Sequence, residues 1–181
     1  SLEAVDLLEE INVSGYKIPS GEVTNIPLLK KISNLNKPVF LSSGMSDWKE
    51  LDSAVNCFKN VSQLWIMQCS SIYPCPPEKI GLNVLEDIKK RYDCNIGFSD
   101  HSLGYAASIG AVLKGATVIE KHITFSRFMY GSDAKNSMEI DEFAIFCKEV
   151  RNAKKMLDNN VDKNDLKPYE EMKKTFQKSI V

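Results

Sequence analysis

Residues 95–124 read NIGFSDHSLGYAASIGAVLKGATVIEKHIT, and the pattern of this stretch decides the fold. The runs NIGF and ATVIE are short and apolar, which is typical of buried parallel strands. Between them, residues 104–113 are apolar and rich in alanine, as in a helix that packs on a sheet. The stretch therefore predicts a strand, a helix and a second strand parallel to the first.

Both histidines of the chain follow these two strands directly. Ligands bind at the carboxyl ends of parallel strands, so His101 and His122 could share a divalent metal. The neighbouring Asp100 and Glu120 could add carboxylate ligands to the same ion. The alternative is that each histidine is a hydrogen-bonded structural residue.

The composition is that of an ordinary globular domain, with 181 residues of which 43% are hydrophobic and 26% charged. The net charge of -1 offers no basic surface for nucleic acid or an anionic membrane, and favours a small-molecule partner. No apolar run approaches the ~20 residues that span a bilayer. The acidic start, SLEAVDLLEEI, predicts a helix rather than a signal peptide.

The five cysteines form no CxxC pair and are odd in number. This usage predicts reduced thiols in a cytoplasmic protein rather than a disulfide framework. A cysteine nucleophile stays open, although Cys57, Cys69 and Cys147 are expected to be small buried hydrophobic residues.

Three further strand-loop-helix units precede the histidine stretch. Their predicted strands are Tyr16–Ile18, Val39–Leu41 and the start of QLWIMQCSSIYPCPPEKI (residues 63–80), which continues as a proline-rich loop. Their predicted helices are residues 26–32, 47–58 and 84–91. Five alternating units without a GxGxxG turn favour a (β/α) barrel over a dinucleotide-binding sheet.

A last helix is predicted over residues 141–157. Its expected inward-facing residues are Phe143, Ile145, Phe146, Val150 and Met156.

Five units cannot close an eight-stranded barrel, so the sheet is open or the chain is a fragment without the earlier strands. A helix that begins at Ser1 with no preceding strand favours the fragment. Residues 1–158 would then be the C-terminal portion of a barrel domain. Residues 159–181 would be a linker toward a missing domain, or alternatively a charged terminal helix.

Polar residues lie at or just after the carboxyl ends of the first four predicted strands. They are Lys17, Ser20 and Glu22, then Ser42 and Ser43, then Ser70, Ser71 and Tyr73, and then Ser99. A lysine, small hydroxyls and backbone N–H groups at one rim commonly hold a phosphate, so a phosphorylated or carboxylated substrate is expected. The alternative for each residue is a helix cap or a turn, as for Ser46 or Asp47. Glu22, close to Lys17, is the predicted proton acceptor or hydroxyl ligand.

The segment TFSRFMYGSDAKNS, residues 124–137, is long for a barrel loop and predicts a lid or a substrate wall. Asp133 within it would bind substrate hydroxyls, or would be a solvated turn residue.

Six motifs occur in order over about residues 1–158: KIPSGEVTNIPLL, KPVFLSSGM, CSSIYPCPPE, IGFSDHSLG, GATVIEKHIT, and GSD followed by SME. In these motifs the chain resembles the N-acetylneuraminate (sialic acid) synthase family, including its legionaminate and pseudaminate synthase relatives. The resemblance implies an α/β fold, a partial (β/α)8 TIM barrel with about the last five β/α units. The N-terminal strands and a C-terminal antifreeze-like (SAF) domain of the family would be missing.

The resemblance also implies a reaction, the condensation of phosphoenolpyruvate with N-acetylmannosamine or a related N-acylated amino sugar, with release of phosphate. It implies Mn2+ or Mg2+ bound by His101 and His122. The implied phosphoenolpyruvate contacts are Lys17, Ser20, Ser42, Ser71 and Ser99, and the implied sugar contacts are Glu22, Tyr73 and Asp133. Ser71 stands where relatives can have the longer asparagine. Lys17 and Glu22 would be the catalytic groups.

Family members are longer and the parent protein would be a homodimer, so this chain alone is expected to be inactive. A synthase for another nonulosonic acid, or another barrel that condenses phosphoenolpyruvate with an aldehyde, stays open. So does a different class of protein, a non-catalytic truncated remnant or binding module.

Overall fold

Five β-strands pair in chain order to form one parallel sheet in the computed structural model, which describes residues 1–61 and 63–178. The strands are β1 (Tyr16–Ile18), β2 (Val39–Ser42), β3 (Leu64–Cys69), β4 (Asn95–Asp100) and β5 (Val118–Lys121). The sheet curls into part of a barrel, which confirms the predicted fold class.

Helices alternate with these strands along the chain. They are α1 (Leu2–Glu10), α2 (Ile26–Ser33), α3 (Trp48–Asn56), α4 (Leu82–Arg91), α5 (Ala106–Leu113), α6 (Ile140–Asp158) and α7 (Glu170–Phe176). Short 3-10 helices occupy Ser20–Glu22, Pro77–Lys79, Ala134–Asn136 and Lys167–Tyr169. Within the described residues, no helix is both long enough and apolar enough to cross a membrane.

The strand register separates two faces of the sheet. Ile18, Leu41, Ile66 and Ile96 are register partners, and all four side chains are buried toward the helices. Since successive side chains of a strand point to opposite faces, the adjacent row lies on the concave face. That row joins Lys17, Phe40 and Trp65, and the Phe40 and Trp65 rings stack with centroids 5.0 Å apart.

The hydrophobic core lies between the outer face of the sheet and the surrounding helices. Leu29 of α2, Leu85 and Ile88 of α4 and Ala111 of α5 are fully buried against the strand residues of this core. The helices begin where their caps are: the Asp47 carboxylate accepts from Glu50 N (2.8 Å) and forms a capping box with Glu50 at the start of α3, as the sequence indicated.

Helix α6 has a different inward face from the predicted one. Phe146 and Ala153 are its buried residues, whereas Ile145 is 52% and Met156 72% exposed. At about 100° per residue, positions 145 and 156 lie together roughly 70–90° to one side of the face that carries 146 and 153. The prediction of Ile145 and Met156 as inward residues was wrong because it counted apolar residues without fixing the helical face.

Two short strands that the sequence analysis did not predict flank the long loop. β6 (Ile123–Thr124) pairs in parallel with β7 (Met138–Glu139), so residues 125–137 form a loop closed at its base. The C-terminal segment contains α7 and a 3-10 helix, which agrees with the alternative of a terminal helix, and residues 159–178 bury none of their side chains.

One polar contact ties β1 to the first helix. The Tyr16 ring is buried, and its hydroxyl donates to Glu9 Oε1 (2.6 Å), which also accepts from Lys37 Nζ (2.8 Å). Burial, together with the bond to Glu9, raises the pKa of Tyr16 to about 12.

Tyr16→Phe is expected to lower the free energy of unfolding by about 1 kcal/mol at neutral pH, because one hydrogen bond is lost. The folded-state pKa of Tyr16 lies above its ordinary value of 10.0, so the contribution is complete below pH 10 and is lost as the pH rises through about 12. Urea unfolding of both proteins across this pH range measures the difference. Tyr130→Phe, at a fully exposed ring, is the control and should be neutral, and a Tyr16→Phe deficit that persists unchanged to pH 12 contradicts the linkage.

Candidate functional site

The carboxyl ends of the five strands meet around a cavity of ≈ 480 Å³. The lining residues are Lys17, Pro19, Ser20, Gly21, Ser42, Met45, Cys69, Ser71, Tyr73, Ser99, His101, Glu120 and His122. Nine of the residues singled out from the sequence are among them: Lys17, Ser20, Ser42, Ser71, Tyr73, Ser99, His101, Glu120 and His122. The alternation of strands and helices thus brought together residues that are up to 105 positions apart in the chain.

Glu22 and Asp133 lie beside this cavity without lining it. Asp133 Oδ2 is 3.7 Å from His122 Nδ1, at the edge of the site. Glu22 Oε2 accepts a hydrogen bond from Asn25 Nδ2 (2.7 Å), and the lysine expected as its neighbour, Lys17, pairs with a different carboxylate.

The two imidazoles lie next to each other in an edge-to-face arrangement. Their ring centroids are 5.3 Å apart with an interplanar angle of 84°. His101 Nδ1 lies 2.7 Å from the Ser70 carbonyl, and because a carbonyl can only accept, this nitrogen carries the proton in the neutral ring. His101 Nε2 is therefore the nitrogen with a lone pair available, the arrangement usual for a histidine that binds a metal.

Tyr73 covers both rings. Its centroid is 4.1 Å from that of His101 and 5.8 Å from that of His122. Burial opposes the protonation of His101, but the contacts with Cys69 and the Ser70 carbonyl favour it, and the pKa of His101 is raised as the net result.

The histidine pair could supply two nitrogen ligands to a divalent metal, and no third protein ligand is placed beside them in the described residues. In the parts of the chain that the structure describes, no group of three or more histidine, cysteine or acidic side chains is placed to hold an ion. The idea that Asp100 and Glu120 share the metal was wrong. Asp100 is buried on the opposite side of its strand with Lys121, and Glu120 is engaged by Lys17 and Ser99.

Glu120 is a site residue whose role the sequence did not reveal. Lys17 Nζ is 3.1 Å from Glu120 Oε1, and Ser99 Oγ donates to the same oxygen (2.7 Å). The register pairs Ser99 with Glu120, so both project onto the concave face. A signal existed, because Glu120 is two residues before His122 and Ser99 two before His101.

Cys69 is a second such residue. The sequence analysis treated it as a small buried hydrophobic residue, and it is buried, but its sulfur lies within the site. Ser20 Oγ contacts Cys69 Sγ at 3.7 Å and His101 Nδ1 lies 3.8 Å from it. Burial raises the pKa of the thiol, but His101 and Ser20 outweigh burial and the pKa of Cys69 is lowered. All five cysteines are free thiols in the described chain.

Ser42 provides the clearest sign of a ligand. The residue is 1% exposed, and among the described residues its Oγ is the one buried side-chain oxygen or nitrogen with no hydrogen-bond partner. A buried hydroxyl without a partner costs about 1–3 kcal/mol, and native proteins rarely leave one so. Its place in a cavity with Lys17 and Ser20 points to an anionic ligand that accepts from it.

Gly44 shapes the same cavity. Its amide donates to Ser20 Oγ (3.0 Å), and a Cβ at this position would lie 2.6 Å from Ser71 Oγ, 2.7 Å from Ser20 Oγ and 2.9 Å from Cys69 Sγ. The absence of a side chain at Gly44 therefore keeps open a cradle of hydroxyls that a methyl group would fill.

The long loop is held at its base and exposed at its tip. Arg127 donates from its amide to Glu139 Oε1 (2.9 Å) and from Nε to the Ser137 carbonyl (3.0 Å), and its guanidinium pairs with Glu142. In contrast, Phe128 and Tyr130 are 99% and 106% exposed. The base fixes Asp133 near His122, while the tip presents aromatic rings to solvent.

A larger cavity of ≈ 760 Å³ lies between β5 and α6. Its walls are mainly apolar, with Phe143, Phe146 and Val150 from α6. Convergent polar groups and the hydroxyl without a partner are found instead at the strand ends, so the smaller cavity is the candidate site.

Fold and rim together define a (β/α)-barrel protein whose polar groups converge at the carboxyl ends of its strands, the position of enzyme active sites in this architecture. The chain belongs to the NeuB family, whose model matches residues 1–162.

Two curated relatives show the relationship at the level of sequence. The chain is similar to N,N'-diacetyllegionaminic acid synthase of Campylobacter jejuni, with 39% identity over 90% of this chain and 50% of that protein. It is also 37% identical to human N-acetylneuraminate-9-phosphate synthase, over 82% of this chain and 42% of that protein. The chain spans about half the length of the curated relatives it matches.

A solved structure shows the relationship at the level of fold. The crystal structure of N-acetylneuraminic acid (sialic acid) synthetase from Leptospira borgpetersenii in complex with citrate superposes with a TM-score of 0.85. The two chains are 30% identical, and the match covers 99% of this chain and 64% of that one.

Gly44→Ala is expected to weaken the binding of inorganic phosphate by about tenfold or more, because the added methyl group occupies the hydroxyl cradle and displaces at least one donor. Isothermal titration with phosphate measures the loss. Gly21→Ala is the matched control, since a Cβ there meets only Met45 Cε at 3.7 Å. Equal phosphate affinity in both variants would show that the cradle is not the anion site.

Proposed function

We propose that this chain forms part of a nonulosonic acid synthase, which condenses phosphoenolpyruvate with an N-acylated amino sugar such as N-acetylmannosamine and releases phosphate. The single observation that carries the proposal is the buried Ser42 hydroxyl without a partner among the described residues, in the cavity that Lys17 also lines. Membership of a family whose relatives are named as synthases of sialic, legionaminic and pseudaminic acids supports the reaction class.

The cradle suits the two anionic groups of phosphoenolpyruvate. Ser20, Ser42, Ser71 and Ser99 offer hydroxyls around the cavity, and Lys17, whose ammonium pairs with Glu120 in the absence of ligand, lies among them. In our proposal Lys17 and the serines hold the phosphate and the carboxylate, which fixes C3 of the enol toward the acceptor aldehyde.

A divalent ion, Mn2+ or Mg2+, would be held by His101 Nε2 and His122. When bound, it supplies Lewis acidity to the aldehyde oxygen of the open-chain sugar. The chain itself orients one ligand through the Ser70 carbonyl, which keeps Nε2 of His101 unprotonated in the neutral ring. Further ligands would come from water and substrate oxygens.

The sugar side of the site would be formed by Glu22, Tyr73 and Asp133. In the proposed reaction, C3 of phosphoenolpyruvate forms a bond to the aldehyde carbon of the sugar. Water then adds at C2, and the phosphate leaves from C2. The reaction therefore consumes one water molecule and releases one inorganic phosphate. Glu22 is the proposed proton-handling group, and Glu120 is a second carboxylate in reach of the cavity.

The 181-residue chain by itself is proposed to bind these ligands without turnover. Its described residues form a sheet of five strands and it spans about half the length of its curated relatives, whereas an eight-stranded barrel encloses its site. A cytoplasmic location and a homodimeric parent protein remain predictions.

Ser42→Ala is expected to weaken phosphoenolpyruvate binding by about tenfold or more, because a hydrogen bond to a charged ligand is worth about 1.5–3 kcal/mol. The same variant should be as stable as the wild type or more stable by up to about 1 kcal/mol without ligand, since an unpaired buried hydroxyl is removed. Titration calorimetry and urea unfolding measure the two effects.

Ser43→Ala is the matched control for this pair of measurements. Ser43 Oγ donates to the Met67 carbonyl (3.1 Å) and does not line the cavity, so its loss should cost stability and leave phosphoenolpyruvate binding intact. A folded wild-type chain that binds no phosphoenolpyruvate, or a Ser42→Ala variant that binds it unchanged, contradicts the proposed ligand site.

Condensation activity is expected to be absent in the isolated chain and present when residues 1–162 replace the equivalent segment of the Campylobacter relative. Phosphate release and product mass, with several N-acylated sugars and Mn2+, measure both. Glu22→Gln in the exchanged protein should lower kcat by about 100-fold if Glu22 handles the proton. Full turnover by Glu22→Gln removes that role, and Glu120→Gln is the comparison.

The outcomes separate the open alternatives. Activity with only one sugar identifies the acid that is made, including an acid other than sialic acid. Ligand binding with no turnover by a folded segment exchange is the result for a non-catalytic remnant or binding module.

A further inference from the structure

Two opposite charges are buried side by side just behind the histidine pair. Lys121 Nζ lies 3.1 Å from Asp100 Oδ2, and the two side chains are 2% and 0% exposed. None of the roles in the proposed reaction uses either residue. Asp100 and Lys121 are therefore unlike Lys17 and Glu120, whose ion pair lies at the strand-end cavity.

The carboxylate is completely surrounded by donors. Asp100 Oδ1 accepts from the Ser102 amide (2.8 Å) and the Ser102 hydroxyl (2.7 Å), and Oδ2 accepts from Ser108 Oγ (2.6 Å) as well as from Lys121. Lys121 Nζ also donates to the Ser102 carbonyl. The network therefore joins β4, β5 and the loop and helix α5 between them.

The stability of the fold does not explain such a pair. Removing two charges from water costs about as much as their attraction returns, and apolar residues of similar size often serve as well. A better-supported use of buried ionic groups is to select one geometry among several that an apolar core would tolerate. In this chain the ion pair joins β4 to β5, so the geometry it can select is the relative position of these two strand ends.

The register of β4 and β5 places the ion pair directly next to both histidines. Asp100 and Lys121 are partners across β4 and β5, and the next residue on each strand is a histidine. Because side chains alternate between faces, the ion pair lies on the helix side and both imidazoles lie on the rim side. The backbone segments that carry His101 and His122 are thus joined through one ion pair, since Asp100 precedes His101 and Lys121 precedes His122.

The far sides of both histidines are also fixed. The His101 carbonyl accepts from Cys75 N (2.8 Å), and the His122 carbonyl accepts from Met138 N (2.9 Å). With each histidine bonded on its far side, the ion pair removes the remaining freedom of one strand end to slide or turn against the other.

We propose that the Asp100–Lys121 pair, with Ser102 and Ser108, is a positioning device that sets the separation of His101 and His122 for a shared divalent ion. The inference rests on the metal site of the proposed function. It assigns no contact with the ion to either residue, and it treats Asp100 and Lys121 as positioning residues that act through the backbone of the two ligands.

Asp100→Asn/Lys121→Met in the 181-residue chain tests this by removing both charges together, so that no unpaired charge remains buried. The double variant should keep its near-UV circular dichroism and cooperative unfolding, but bind Mn2+ about tenfold to a hundredfold more weakly, the range found for residues that orient metal ligands. The Mn2+ electron paramagnetic resonance signal measures free and bound ion. The visible absorption of Co2+, which depends on ligand geometry, should also change.

Asp52→Asn/Arg91→Met is the matched control, because it removes an ion pair that is half-exposed and distant from the rim. It should bind Mn2+ like the wild type. Ser108→Ala takes one donor from Asp100 and should weaken Mn2+ binding by a smaller factor. If the double variant does not fold, Ser108→Ala decides alone.

The failures can be told apart. A folded wild type that binds no Mn2+ contradicts the metal site itself, and with it the proposed function. A wild type that binds Mn2+, together with a folded double variant of equal affinity and unchanged Co2+ spectrum, overturns the positioning role and leaves the proposed function standing. Equal affinity of Ser108→Ala has the same meaning when only that variant folds.

Discussion

The register of the parallel sheet is the constraint on which the rest of the molecule depends. Each strand turns alternate side chains to opposite faces, and the five strands are aligned so that residues of one row share a face. Rows facing the helices are mainly apolar and form the core, with Gln68 and the Asp100–Lys121 pair as buried polar members. Near the carboxyl ends the same alternation places Cys69, Ser99 and Glu120 in one concave row, Asp100 and Lys121 behind it, and the histidines in front again.

This arrangement lets one sheet serve stability and chemistry without a conflict between them. The helix-facing rows remove apolar area from water, which is the dominant favourable contribution to folding. The rows at the rim carry polar groups whose burial lowers the stability of the fold. The Ser42 hydroxyl is the clearest example, because it is buried with no hydrogen-bond partner in the described structure. The core provides the stability that allows the rim to remain incompletely satisfied until a ligand arrives.

Much of this could be predicted from the sequence because it depends on local pattern. Short apolar runs gave the five strands, and the position of His101 and His122 directly after two of them gave the rim. The faces of Asp100 and Glu120 could have been separated by strand parity, because Asp100 is one residue and Glu120 two residues before a histidine, whereas the pairing of Glu120 with Lys17 depends on the curvature of the sheet and was not predictable. The exposed side of α6 at Ile145 was missed because it depends on angular position and not on composition.

In the loop over residues 125–137, changes at the base and changes at the tip have different effects on the fold. Arg127 ties the base of the loop to Glu139 of β7 through its amide and to Glu142 of α6 through its guanidinium, so changes there act on folding. Phe128 and Tyr130 at the tip bury almost no surface, so replacing them costs little stability. Mutations can therefore accumulate at the tip during evolution without loss of the fold, and whatever the tip contacts can diverge between relatives while the histidine pair behind it stays in place.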